Sequence, residues 1–105
     1  NLSNVGAKFT IVSSITKTGS LIVQVANATD VMTGTAIIVD TDTNDNTEGF
    51  MTASTSDTIT LNGSTTGGVT HATIECTVLA SGKWLVSVVT GGTGDLATPF
   101  SAAVS

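Results

Sequence analysis

The chain has 105 residues and a formal charge of −5, with no arginine and three lysines, Lys8, Lys17 and Lys83. Hydrophobic residues make up 40% and charged residues only 10%, a balance that folds rather than stays disordered, and the length sets one domain. Nucleic-acid binding is excluded because three scattered lysines make no basic patch. No apolar run is long enough to span a membrane, and a single cysteine, Cys76, allows no intrachain disulfide.

The remainder is rich in Thr, Ser, Gly and Asn, which favours strands and turns over helices. Taken in chain order, Phe9, Ile11 and Ile15 share one face of a first strand. Leu21, Val23 and Val25 share one face of a second. Thr35–Val39 is apolar on both faces and reads as a central strand. Thr58–Leu61 alternates cleanly. Ala72, Ile74, Cys76 and Val78 define another inward face, and Trp84, Val86 and Val88 the last strong one. This is the period-two signal of strands. Turn residues separate the runs: Lys17–Ser20 after the first, a flexible Asn62–Gly68 loop, and Ala80–Gly82 as a hairpin. The expected fold is all-β, a single-domain antiparallel β-barrel or β-sandwich over residues 1–90. Residues 91–105 are rich in Gly, Ser and Ala and read as an extended C-terminal arm. Within it, Pro99 and Phe100 are suited to docking on a partner, since Phe100 buries a large area at a contact. The chain opens at Asn1 with no signal-like segment, as a processed chain or one lacking its first residues would.

No catalytic constellation assembles. His71 and Cys76 are five residues apart on one expected strand. They therefore point to opposite faces, about 16 Å apart along it. No G-x-S-x-G elbow occurs, and Glu48 and Glu75 carry no mark of a paired-carboxylate site. The expectation is a protein that is not an enzyme and holds no cofactor. The densest polar segment runs from Asp40 to Glu48. Asp40, Asp42, Asn44 and Glu48 have the alternate spacing of hard calcium ligands. Asp45 stands where such a loop needs glycine, and Met51 where it needs a bidentate glutamate. An Asx-rich turn whose side chains cap the backbone accounts for the segment better. The N-x-S/T triplets at Asn1, Asn27 and Asn62 are chance matches in a chain this rich in Ser and Thr.

The succession Ala36–Thr43, Asp57–Gly63 and Gly67–Thr70, then Ala80–Val86, Gly92–Gly94 and Ala97–Phe100, resembles the small capsid decoration (cement) proteins of tailed phages. The likeness covers residues 34 to 101 and lies in sequence style rather than in an invariant motif. It implies a β-barrel or sandwich without catalysis. It further implies trimers seated on the outer surface of the virion, with the major capsid protein as partner. Phage fibre and tail adhesin domains share the style and keep a glycan- or calcium-binding alternative in view. Independently of the resemblance, strand edges need guarding, and here the lysines are few and the one proline falls outside the strands. A homo-oligomer covers such edges, with Ile38, Leu79, Leu85 and Val89 on the second sheet face as subunit contacts.

Overall fold

The computed structural model describes residues 6–13, 15, 18–25, 29–40, 47–80 and 82–104. Eight strands follow one another with no helix among the described residues: β1 (Lys8–Ser13), β2 (Leu21–Gln24), β3 (Val31–Asp40), β4 (Thr47–Met51), β5 (Thr58–Leu61), β6 (Val69–Ala80), β7 (Lys83–Gly92) and β8 (Phe100–Ser101). They form two sheets, neither closed into a barrel. The larger has the order β1-β6-β7-β3-β4 and the smaller the order β2-β5-β8.

The long strands follow directly from the alternation. Ala72, Ile74, Cys76 and Val78 of β6 are buried, as are Val86 and Val88 of β7 and Ala36 and Ile38 of β3. Ala36, Ala72, Ile74, Cys76, Val86 and Val88 meet Ile59, Leu61 and Phe100 of the small sheet in one core cluster. A period-two pattern with one apolar face is stable only when that face is covered. The β6–β7 hairpin turns through Gly82 at φ 73°, a left-handed conformation that glycine adopts without a Cβ penalty.

Two features differ from the expectation. First, the large sheet is not wholly antiparallel: β3 and β7 run parallel, from Val31↔Lys83 to Asp40↔Gly92. No hairpin joins them, so no turn signal in the sequence could announce the pairing. As expected, β3 is interior, flanked by β7 and β4. Second, the C-terminal segment does not project over its described length. Gly91 and Gly92 complete β7. Thr93 and Ala97 donate their amides to Ser64 and Thr65 carbonyls, and the Pro99 carbonyl accepts from the Thr60 amide. Phe100 then pairs with Ile59 as β8 adds to β5.

Polar groups fix these returns. Asn62 Oδ1 accepts hydrogen bonds from the Ser64 and Thr66 amides at 2.8 and 3.2 Å, so the 62–68 loop is knit to itself as well as to the C-terminal segment. Thr90 Oγ1, buried, accepts from the Gly68 amide at 2.8 Å. The buried Asp57 is joined through its backbone to Val25 and Ser101 and through its carboxylate to Thr58 and Val104. Among the described residues no buried side-chain nitrogen or oxygen lacks a partner. That is the normal condition of a folded core.

Candidate functional site

The side chains that alternate away from the core form the outer face of the large sheet. Pairing registers place them in rows that cross four or five strands. One row runs Val12, Thr73, Val89, Ile37, Gly49. The next runs Thr10, Glu75, Ser87, Thr35, Met51. A third brings Lys8, Thr77, Leu85 and Thr33 together. Val12, Ile37, Val39, Met51, Leu85 and Val89 are all among the exposed large hydrophobic residues, with Val89 at 49% and Ile37 at 45%. Lys8, Glu75 and Lys83 are the only charged groups of the described outward positions. Solvated sheet faces normally carry polar residues at these positions. Here exposed apolar residues alternate with polar ones: the row Thr10, Glu75, Ser87, Thr35 lies between Leu85 and the Val89–Ile37 row, while Ile37, Val39 and Val89 group near the middle of the sheet.

Of the residues expected to contact partners, Leu85 and Val89 lie on this face and are exposed. Ile38 does not: it is fully buried, and its neighbours Ile37 and Val39 take the outward positions. In a run such as Ala36-Ile37-Ile38-Val39 the residue types do not reveal which parity faces in. Ala36 and Ile38 face the core because β3 pairs with β7 in the register that sets Ala36 beside Val88. Pro99 and Phe100 are also buried, Phe100 within the core cluster of its own domain. A side chain already holding two sheets together offers no area to a partner. Ile37 and Val39 were signalled by the doubly apolar run. Val12 and Met51 carried no such signal, since each follows residues of mixed character.

The acidic segment is only partly described. Asp42 and Asn44 lie outside the described residues. Asp40 ends β3 and is buried, whereas Glu48 is exposed on the edge strand β4. Among the described residues no three His, Cys, Asp or Glu side chains gather closely enough to hold a metal.

His71 is exposed near the start of β6, at φ 52°, within the stretch where the β6–β7 register shifts between Val69 and Thr73. Cys76 is buried, and burial raises its thiol pKa above the ordinary value of 9.0. It is therefore a protonated, weakly reactive group at neutral pH. Phe9 and Trp84 meet at a ring-centroid distance of 6.0 Å and a tilt of 41°. They are neighbours on the inner side of the large sheet, on strands β1 and β7.

No protein-family model matches the chain, and neither a curated protein nor a solved structure matches it. The class is therefore defined by the molecule itself: an all-β domain of two sheets whose larger sheet carries exposed apolar residues among polar ones on its outer face.

Proposed function

We propose that this protein is a structural virion protein that binds the outer surface of a phage capsid as a cement protein and stabilises the shell. In this reading the two sheets pack as a β-sandwich, the chain forms a homotrimer, and the major capsid protein is its partner. The outer face of the large sheet carries the proposal. Five strands about 4.8 Å apart and up to twelve residues long present on the order of 600–800 Å², close to the roughly 800 Å² per partner of a standard interface. Leu85, Val89, Ile37 and Val12 supply the apolar contacts, and the few charges leave little to desolvate. The resemblance in sequence style to decoration proteins supplies the setting. The domain performs no chemistry in this role.

Electron microscopy of particles from the source tests it. Trimeric density on the shell is expected, and density confined to a tail or fibre overturns the shell assignment.

A second reading, a fibre or tail adhesin domain, has one observation in its favour. The paired rings of Phe9 and Trp84 stand beside an open cleft, as a ligand platform would.

A further inference from the structure

The two sheets differ greatly in length. β6 and β7 have 12 and 10 residues, whereas β2 and β5 have four each and β8 two. At about 3.3 Å per residue the small sheet spans about 13 Å against more than about 30 Å for the large one. Part of the large sheet's apolar inner face therefore extends beyond the strands that cover the rest. At the β6–β7 hairpin end this leaves a cleft of about 420 Å³. Val25, Met32, Cys76 and Val78 form its walls, and Phe9 and Trp84 stand beside them. The four wall residues are buried, whereas Phe9 is 55% exposed.

We infer that this cleft is a binding site for a small, mainly apolar or aromatic molecule that carries no anionic group. Its volume falls within the roughly 300–1,000 Å³ of small-molecule pockets, which are likewise mostly apolar with a few polar groups. Among the described residues, Gln24 and Asp30 are the only lining residues with polar side chains outside the thiol and the indole nitrogen. That is too few to replace the hydration of a sugar's hydroxyls, so a glycan is disfavoured despite the ring pair. No lysine or histidine is among the described lining residues, and the chain is acidic, so a carboxylate or phosphate headgroup meets no counter-charge among them. The Phe9 and Trp84 rings are left to stack on an aromatic or aliphatic body. The site is on the opposite side of the large sheet from the outer face, so it stands or falls separately from the capsid reading.

The test titrates the intact protein with N-phenyl-1-naphthylamine, a neutral fluorescent probe, and follows both probe emission and the quenching of Trp84, the only tryptophan. Saturable probe binding with matching Trp84 quenching is expected. Ala80→Phe, which adds bulk at a lining position, is expected to weaken it by about tenfold or more, whereas Leu85→Lys on the outer face leaves it unchanged. Should Ala80→Phe lose its strand circular dichroism, Phe9→Ala serves instead, because an exposed ring is removed without opening the core. Non-saturable probe uptake overturns the site, and so does binding lost in Leu85→Lys but kept in the cleft variants. Displacement of the probe by a maltooligosaccharide at equal concentration overturns the ligand class.

Discussion

The carboxylate of Asp57 accepts a hydrogen bond from the backbone amide of Val104 at 3.2 Å, across 47 residues of chain. The same oxygen accepts from the Thr58 hydroxyl at 2.8 Å. Asp57 is buried at the start of β5, where its own amide donates to the Ser101 carbonyl and its carbonyl accepts from Val25. One residue thus ties the second strand, the fifth strand and the C-terminal segment to a single point. Asp57→Ala would leave the Thr58 hydroxyl and Val104 amide without their acceptor. A loss of about 1–3 kcal/mol is expected in urea unfolding, and Asp57→Asn, which keeps one acceptor oxygen, should lose less.

Phe100→Ala is expected to destabilise the isolated domain by about 3–5 kcal/mol, as for other buried aromatic truncations. The measurement is the denaturation midpoint at low protein concentration. A ring that served only a partner would leave that midpoint unchanged and alter association alone.

Gly34→Ala tests the close approach of β3 and β7. A Cβ at position 34 would overlap the Val86 backbone carbonyl, and backbone cannot move aside as a flexible side chain can. Gly34 is also held from the other side, its amide donating to Thr52 Oγ1 at 3.1 Å. A loss above about 3 kcal/mol, or failure to fold, is expected from overlap in so constrained a site, read by circular dichroism and thermal melting.

Leu85→Lys combined with Val89→Lys places two charges on the outer face. Both positions are exposed, so the unfolding free energy of the monomer should change by only about 0.5 kcal/mol per site. The mass by light scattering is expected to fall from an oligomer to a monomer. A wild-type mass that is monomeric and does not vary with concentration would refute the proposed trimer.

Cys76 gives a pH prediction. Its folded-state pKa is raised by burial above 9.0. As pH rises past that value the unfolded chain releases the thiol proton first, so the folded state loses relative stability. The cysteine contributes no pH dependence below the unfolded pKa and a progressive loss above it. Cys76→Ala should remove that alkaline slope, whatever its cavity costs at neutral pH. Iodoacetamide should label the native protein far more slowly than the unfolded chain.

What the sequence revealed depended on whether local pattern and tertiary partner agreed. β6 and β7 were legible because Ala72, Ile74, Cys76 and Val78, then Trp84, Val86 and Val88, alternate over long runs with Gly82 between them. β4 was not, because Thr47-Glu48-Gly49-Phe50-Met51 has one inward apolar residue, Phe50, and an acidic approach that reads as a turn. It is a strand because β3 offers an edge to it. β8 is two residues long and exists only where Phe100 docks on Ile59. The outer face was legible in kind but not in parity: Leu85 and Val89 were identified, whereas Ile38 stood in for its neighbours Ile37 and Val39. That choice is made by the parallel pairing with β7, about fifty residues away, which leaves no local trace.

That parallel pairing also orders events in time. The row Val12, Thr73, Val89, Ile37 draws on strands that begin near residues 8, 69, 83 and 31, and β7 is the strand that joins the two halves of the sheet. Until it has been synthesised and has slid between β6 and β3, the β3–β4 hairpin and the β1–β6 pair have no common surface. Non-local pairings of this sort form late and slowly. A half-made chain therefore carries the apolar residues but not the face that brings them together, and in the proposed trimer copies would recognise one another only once each had finished folding.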